Sequence, residues 1–276
     1  MKFILSKLLG NLHRGLSRSK LAMFAVIKIE NQCKAIIRSH LNDGIDPDRN
    51  GEHLLLSLVA PDSRIFIDVG ANVGNWAKVF AKLMEDPIFG VLIEPSPVAL
   101  TELNKAASTI NCETLIVDAA AGEQQGESTF FAEPDSGETS SLVPGFSNIK
   151  AQEIIVRVTT IDHEISSREI EFVDFLKIDA EGFDLRVLMG AQNTLRTGDI
   201  GIVQFEYNSP WAQTSSTLFE AICMLENHGY EVFLLKRDGL YKLRYELYGE
   251  YFGYSNYVAV SKKYQEKVSA LKRGSI

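Results

Sequence analysis

Cysteine is scarce in this chain, which has three cysteines among 276 residues. Cys33, Cys112 and Cys223 are widely separated, so the sequence predicts neither a disulfide framework nor a cysteine-rich zinc site. The five histidines also lack the spacing of metal ligands. An odd number of scattered cysteines is typical of a reducing compartment, and we therefore expect a cytoplasmic protein.

Positive charge is also in short supply, because 28 lysines and arginines stand against 36 acids and the net charge is −8. No overall positive field exists that would attract nucleic acid, so nucleic acid is not an expected partner. The sequence has no long apolar run near its N-terminus, where the longest, residues 21–27, is too short to span a bilayer. The hydrophobic content of 45% nevertheless supports one large domain with a sizeable core.

The first 28 residues combine six basic side chains with apolar residues at roughly helical spacing and contain no acid. Two interpretations remain open for this segment. It could be a basic amphipathic helix on an anionic membrane, which would be a peripheral membrane contact. It could instead be a helix that packs on the main domain or on a second subunit, which the narrow apolar stripe favours. We expect an N-terminal helical extension at residues 1–45, a main domain at 46–264 and a C-terminal tail at 265–276.

The most informative segment is residues 65–76, where an apolar strand pattern ends in Asp68 and a glycine-rich turn and a helix follow. Gly70 and Gly74 let a ligand lie against bare backbone, and the helix N-terminus supplies free N–H donors. The next strand pattern ends in Glu94, where a carboxylate is well placed to hold both hydroxyls of a ribose. This arrangement predicts a nucleotide-like cofactor.

The glycine spacing separates two classes of cofactor. A dinucleotide turn reads G-x-G-x-x-G, and its second glycine lets the pyrophosphate approach the backbone. Here Asn72 takes that place and Asn75 stands at the third glycine, so the turn lacks the glycine that a pyrophosphate needs. The turn therefore favours S-adenosylmethionine, which has no phosphate, over NAD.

A second dense segment, residues 172–184, brings acids to the end of another buried strand pattern. Asp179 and Glu181 follow that strand, and Glu206 follows the next one. Because ligands of open α/β sheets bind outside the carboxyl ends of the strands, we expect these acids to face one crevice. Each could instead be a helix cap or a salt-bridge partner. Asp179, Glu206 and Asn208 could also hold a divalent cation such as Mg²⁺, although the absence of a tight ligand motif makes a metal the less favoured interpretation.

Strand and helix patterns alternate along the main domain, which predicts an α/β fold with a mostly parallel sheet covered on both faces. The strand patterns cover residues 64–68, 89–93, 113–117, 172–178, 200–206, 230–235 and 256–260. The helix patterns cover residues 53–59, 75–85, 97–107, 184–195 and 215–228. Two extra strands, at 128–131 and 154–158, flank a polar loop from Glu133 to Asn148, which we expect to be a lid over the ligand site.

Together these segments resemble the FkbM-type methyltransferase family, which belongs to the class I, Rossmann-like, S-adenosylmethionine-dependent enzymes. The resemblance extends over about residues 50–260 and leaves out the first 45 residues. It rests on four motifs in order: FIDVGANVGNW (66–76), VLIEPSP (91–97), FLKIDAEGFDLRVLMGA (175–191) and VQFEYN (203–208). The third of these, with its Asp-x-Glu-Gly core, is the most specific.

The resemblance implies a seven-stranded sheet with a reversed last strand and O-methylation of a hydroxyl on a sugar, glycan or natural product. It also implies a set of cofactor-binding residues, in which the turn holds the methionine part, Glu94 the ribose, and Asp118 and Ala119 the adenine. That set is Asp68, Gly70, Ala71, Asn72, Gly74, Glu94, Asp118 and Ala119. The candidate catalytic residues are Asp179, Glu181 and Glu206.

Two other functions stay open from the residues alone. One is an NAD-dependent oxidoreductase, against which Asn72 argues. The other is a non-catalytic cofactor-binding fold that acts at a membrane or as a scaffold, against which the acids at 179, 181 and 206 argue.

Overall fold

A computed structural model describes residues 10, 12–134, 140–146 and 150–276 of the protein. The chain divides into two compact units, residues 1–41 and 42–276. The first ends four residues before the limit expected from the turn-rich stretch that follows it.

The N-terminal unit contains a short helical stretch at residues 12–17 and one long helix, α1 (Lys20–Leu41). The hydroxyl of Ser19 accepts a hydrogen bond from the backbone N–H of Ala22 at 3.3 Å, which supplies the N-cap that starts α1. Within the described ranges, no helix is both long and apolar enough to cross a membrane.

The second unit is built on a nine-stranded sheet with the strand order β12-β10-β9-β11-β8-β7-β1-β2-β3, and a three-stranded sheet has the order β4-β6-β5. The strands are β1 (Ile65–Val69), β2 (Phe89–Glu94), β3 (Glu113–Asp118), β4 (Ala120–Ala121), β5 (Gly126–Ala132), β6 (Gln152–Thr159), β7 (Val173–Ile178), β8 (Ile200–Tyr207), β9 (Glu231–Lys236), β10 (Gly239–Lys242), β11 (Ser255–Val260) and β12 (Lys272–Ser275).

The described part of the second unit contains eight helices, of which the first precedes β1 and the others lie between strands. They are α2 (Glu52–Val59), α3 (Asn75–Leu83), α4 (Pro97–Ala107), α5 (Ile161–Ser166), α6 (Asp184–Met189), α7 (Gln192–Thr197), α8 (Leu218–Asn227) and α9 (Tyr245–Tyr248). Every residue of β7, β8 and β11 is buried, so the middle of the large sheet is covered on both faces.

The predicted fold class is confirmed in its main features. The strands β3, β2, β1, β7 and β8 run parallel, and β11 is the reversed strand, since it pairs antiparallel with both β8 and β9. The predicted count of seven strands in this sheet is wrong. After β9 the chain turns back into β10, and β12 pairs with β10, which lengthens this edge to nine strands.

Two further details differ from the sequence prediction. Residues 265–276 do not form a separate tail, because they supply β12 to the large sheet. The helix expected over residues 184–195 is divided into α6 and α7 at Gly190. A Cβ at Gly190 would lie 2.0 Å from the carbonyl oxygen of Gly122, so this backbone passes too close to its neighbour for any side chain.

An aromatic cluster holds α3 against the centre of the sheet. Trp76 and Phe80 of α3 stack at 4.9 Å, and Phe80 lies 5.1 Å from Phe66 of β1 and 5.2 Å from Phe175 of β7. Such pairs add about 0.5–1.5 kcal/mol each beyond the burial of their apolar area. The start of α3, and with it the glycine-rich turn, is thereby fixed relative to β1 and β7.

Candidate functional site

The glycine-rich turn packs directly against the residue that follows β7. Gly70 has a φ of +74°, and a Cβ there would lie 1.9 Å from the backbone oxygen of Asp179. The backbone N–H groups of Gly70 and Ala71 both donate to the carbonyl of Ile93, at 3.0 and 3.2 Å. Only glycine fits at position 70, and its presence lets the ends of β1, β2 and β7 meet.

Glu94 is held in one orientation at the end of β2. Its carboxylate accepts hydrogen bonds from the backbone N–H groups of Asn72 and Ser96, both at 2.8 Å. Burial of the side chain raises the pKa of Glu94 to about 7, despite these two hydrogen bonds, which lower it. Each carboxylate oxygen has a second lone pair, so Glu94 can still accept two hydroxyl groups.

A cavity that is partly open to solvent lies at these strand ends, with about 400 Å³ of empty space in and in front of it. Gly70, Glu94 and Asp179 form its polar side. The small sheet contributes to the apolar side, which contains Ala120, Ala121, Phe130 and Phe183.

The predicted cofactor residues occupy different positions around this cavity. Gly70 and Glu94 line it, while Asn72 acts through its backbone on Glu94. Ala119 is fully buried, and its neighbours Ala120 and Ala121 form the wall. The charge of Asp118 contributes to the raised pKa of Glu94. Gly74, at a φ of +81°, precedes α3 as its N-cap.

A buried ion-pair group lies beside the cavity and includes Lys177, which we did not predict. Lys177 Nζ lies 2.9 Å from Asp179 Oδ2 and 4.0 Å from Asp68 Oδ1. Burial lowers the pKa of Lys177, but the attraction of Asp179 and Asp68 outweighs burial and raises it above its ordinary value. The sequence signal for a buried cation was a lysine near the apolar end of a strand pattern.

Asp68 is the innermost member of this group. Its side chain is fully buried, and within the described part of the chain neither carboxylate oxygen has a hydrogen-bond partner. Burial raises the pKa of Asp68 to about 7, against the opposing effect of Lys177. Asp68 is therefore an electrostatic partner of Lys177 in the layer beneath the cavity.

The third predicted acid, Glu206, lies among other polar residues at the end of β8. Asn208 donates to Glu206 Oε1 at 2.6 Å. Burial, followed by the charges of Asp179, Glu181 and Asp184, raises the pKa of Glu206 well above its usual range. Glu206 therefore favours its protonated form more than an exposed glutamate does.

The reversed strand adds two residues that sequence reasoning missed. Asn256 of β11 stands opposite Glu206 in the strand register and donates to the hydroxyl of Tyr254 at 3.3 Å. Burial and the charges of Glu206 and Asp179 raise the pKa of Tyr254, so its phenol stays protonated. The sequence did not predict this contribution, because β11 is far from β8 along the chain and no spacing rule links residue 254 to residue 206.

Hydrogen bonds to Asp184 and to the carbonyl of Glu181 hold the Asp-x-Glu-Gly turn in place. Asp184 accepts hydrogen bonds from the backbone N–H groups of Gly182 and Glu206, each at 3.2 Å. Burial raises the pKa of Asp184 to about 8. Glu181 has a φ of +49°, and its carbonyl accepts a hydrogen bond from the hydroxyl of Ser141 at 2.8 Å.

The loop that we expected to be a lid is partly described. Residues 135–139 and 147–149 of that loop lie outside the described residues. Ser140 and Leu142 line the cavity, and Ser141 contacts the Asp-x-Glu-Gly turn. The predicted role of the loop in covering a ligand stays a prediction.

The polar and apolar groups that line the cavity fit S-adenosylmethionine. Glu94 can accept the two ribose hydroxyls, and Phe130 and Phe183 offer apolar surface for a base. Among the described residues that line this cavity there is no lysine or arginine to neutralise a pyrophosphate. In the same described ranges, no group of three histidine, cysteine or acidic residues is arranged to hold a metal ion.

A family model described as a methyltransferase FkbM domain matches residues 68–232, from the end of β1 into β9. No curated protein matches the chain.

Several solved structures are similar to the chain at low identity. Methyltransferase FkbM from Methylobacillus flagellatus KT is 16% identical with a TM-score of 0.42, and the match covers 71% of this chain but only 43% of that one. Precorrin-6y C5,15-methyltransferase from Geobacter metallireducens GS-15 is 14% identical with a TM-score of 0.42 and coverages of 76% and 87%. A putative methyltransferase from Streptococcus mutans, solved with S-adenosylhomocysteine, is 10% identical with a TM-score of 0.44 and coverages of 76% and 94%.

Proposed function

This chain belongs to the methyltransferase FkbM domain family, whose model matches more than half of it, and on that basis we propose that it is an S-adenosylmethionine-dependent O-methyltransferase. We propose a sugar, glycan or natural product with a free hydroxyl as its acceptor. The observation that carries the proposal is the single cavity wall formed by Gly70, Glu94 and Asp179. This wall combines an open backbone turn, a ribose-binding carboxylate and a base.

The cofactor contacts follow from the donors and acceptors of the wall. Glu94 accepts the ribose hydroxyls with the lone pairs that its bonds to Asn72 and Ser96 leave available. The apolar side of the cavity, with Phe130 and Phe183, excludes water from the adenine base of the cofactor. S-adenosylmethionine, when bound, supplies a methyl group that its sulfonium already activates.

Asp179 is the residue proposed to move the proton. Its side chain is one third exposed, which leaves it reachable by an acceptor. Lys177 engages Oδ2, so Oδ1 is the atom that would accept the hydroxyl proton as the new carbon–oxygen bond forms. A positioned general base contributes about 10²–10⁴-fold to a rate.

Two buried side-chain amides lie in and just after β8, outside the residues that line the cavity. Asn208 Oδ1 and Gln204 Oε1 are buried acceptors that have no hydrogen-bond partner among the described residues. Asn208 is bonded to Glu206, and Gln204 donates to Glu52 at 2.7 Å.

The first test concerns the cofactor. Calorimetry with the full-length protein should detect binding of S-adenosylhomocysteine and none of NAD. Tight NAD binding without a response to S-adenosylhomocysteine would contradict the proposal and support an oxidoreductase.

The second test concerns the reaction. The protein is incubated with a cell extract and S-adenosylmethionine labelled in the methyl group, and the labelled product is treated with alkali. A methyl ether keeps its label in alkali, whereas a methyl ester releases it, so retention supports O-methylation of a hydroxyl once N- and C-methylation are excluded by mass spectrometry. Asp179→Asn should lower the rate at least a hundredfold, while the exposed control Asp86→Asn leaves it unchanged.

A further inference from the structure

The long helix α1 leaves a row of apolar side chains uncovered. Val26, Ile29 and Ile36 fall on one face at helical spacing, and they are 42%, 64% and 70% exposed. Leu21 and Phe24 at the start of α1 are more than half exposed as well. Single exposed apolar residues are ordinary, but a continuous row along a helix marks a surface that contacts something else.

The opposite face of α1 carries basic side chains, with the exposed Phe24 and Ile27 between them. Lys20, Lys34 and Arg38 share this face, since their positions differ by close to whole helical turns. All three are exposed. A helix with an apolar face and a lysine- and arginine-rich face has the composition of helices that lie in the plane of a membrane interface.

The distribution of charge distinguishes among the partners that could cover the apolar row. Residues 1–41 contain eight lysines and arginines and one acid, Glu30, whereas the whole chain has 28 basic and 36 acidic residues. The basic charge is thus concentrated in and around α1, on a chain that is otherwise strongly acidic. Anionic lipid headgroups attract such a segment and repel the rest of the chain, so the segment would bind first.

A second copy of α1 fits this charge pattern less well. In a coiled coil with Val26, Ile29, Cys33 and Ile36 at the seam, the flanking positions hold Ala25, Glu30, Gln32, Ile37 and Ser39. Glu30 is the one acid there, and it pairs with Lys34 of its own helix at 2.7 Å. Two such helices would therefore meet without the complementary charge pairs that specify association.

We propose that α1 docks this protein on an anionic membrane surface. The apolar row around Ile29 and Ile36 enters the boundary between headgroups and acyl chains, and Lys20, Lys34 and Arg38 contact the headgroups. The helix lies on the surface and does not cross it, since none of the described helices is long and apolar enough to span a bilayer. This proposal is independent of the methyl-transfer chemistry.

The test is flotation of the full-length protein with vesicles. Vesicles of phosphatidylcholine alone are compared with vesicles that also contain phosphatidylserine, at low and high salt. We expect binding to the anionic vesicles, little binding to the neutral ones, and loss of binding at high salt, because exposed charges are screened. Equal binding to both kinds of vesicle, or binding that salt does not weaken, would overturn the proposal.

Two sets of substitutions locate the surface. Ile29→Asn with Ile36→Asn should reduce vesicle binding at least tenfold, whereas the matched double control Ile45→Asn with Ile155→Asn, at exposed positions outside α1, should not. Each of Lys20→Gln, Lys34→Gln and Arg38→Gln should weaken binding about fivefold, which corresponds to about 1 kcal/mol per charge near an anionic surface. Circular dichroism and S-adenosylhomocysteine affinity check that the variants remain folded.

Pairing of α1 with a second copy of itself would give a different experimental result. If α1 pairs with a second copy, light scattering will show a dimer that the Ile29→Asn and Ile36→Asn substitutions dissociate, and the protein will not float with vesicles. That result overturns the proposal, as does the absence of vesicle binding by a monomer. Vesicle binding that survives the double substitution in α1 also overturns it.

Discussion

Lys177 donates a 2.9 Å hydrogen bond to Asp179, and this bond fixes the carboxylate that lies just after β7. The same ammonium group lies 4.0 Å from the fully buried Asp68. One cation therefore compensates two carboxylates, of which one faces the cavity and the other lies beneath it. The orientation of the proposed base therefore depends on a residue that no ligand needs to touch.

Removal of this cation should cost stability. Lys177→Met should lower the free energy of unfolding by about 3–5 kcal/mol, because it leaves Asp68 and Asp179 without their buried partner. Urea unfolding measures the change. Lys177→Met combined with Asp68→Asn should recover part of the loss, since the second substitution removes a charge that has become uncompensated. A double variant no more stable than Lys177→Met alone would show that Asp68 and Lys177 are not coupled.

Glu94 should control cofactor affinity. Glu94→Gln removes the charged acceptor and places an amide N–H₂ close to the backbone donors of Asn72 or Ser96. Hydrogen bonds to a charged group contribute about 1.5–3 kcal/mol, so S-adenosylhomocysteine should bind about ten- to a hundredfold more weakly by calorimetry. Glu102→Gln, on the exposed side of α4, is the matched control. Equal affinity of the two variants would remove Glu94 from the cofactor site.

Raised carboxyl pKa values should make the ligand-free protein less stable as the pH rises. The folded pKa is raised to about 7 for Asp68 and Glu94 and to about 8 for Asp184, mainly by burial. Between pH 4 and pH 8 the unfolded chain releases these protons while the folded protein keeps them, so unfolding becomes more favourable with increasing pH.

Chemical unfolding across this pH range tests that sign. Stability should decrease from about pH 5 to pH 8, and Glu94→Gln should flatten the slope because its side chain does not titrate. Asp238→Asn, an exposed change, is expected to leave the slope as it is. A stability that increases steadily up to pH 8 would contradict the burial of these acids in their protonated form.

Gly70 should not tolerate a side chain, and a comparison with Gly198 separates the steric collision from the backbone strain. Gly70 and Gly198 have nearly equal φ values of +74° and +73°, but only Gly70 faces a collision, with the Asp179 carbonyl 1.9 Å from the added Cβ. Gly198→Ala should cost about 1–2 kcal/mol through backbone strain alone. Gly70→Ala should cost several kcal/mol more and abolish S-adenosylhomocysteine binding. Similar unfolding energies for the two variants would mean that the turn adjusts freely.

The sequence predicted the site at its strand ends because local patterns specify those ends. Asp68 and Glu94 each lie in the last positions of a strand, as the apolar runs before them indicate. Asp179 follows β7 directly, and its proximity to Gly70 arises from the parallel register between β1 and β7. The fold class follows from such repeated strand–helix units.

The remaining features depend on contacts that no local pattern encodes. Tyr254 and Asn256 reach the site because β11 is reversed and pairs with β8 in a particular register. The break of a predicted helix at Gly190 comes from a close approach to Gly122, which is 68 residues earlier in the chain. The added edge strand β12 depends on pairing with β10, and its short polar sequence carries little strand signal.

The hydrogen bond from Ser141 to the carbonyl of Glu181 joins the described part of the loop to the turn between β7 and α6. A single neutral hydrogen bond contributes only about 0.5–1.5 kcal/mol. The bond from Ser141 therefore holds the loop to the turn only weakly. The loop is therefore held to this turn by a contact that costs little to break, while Gly70 and Glu94 are fixed by close backbone contacts.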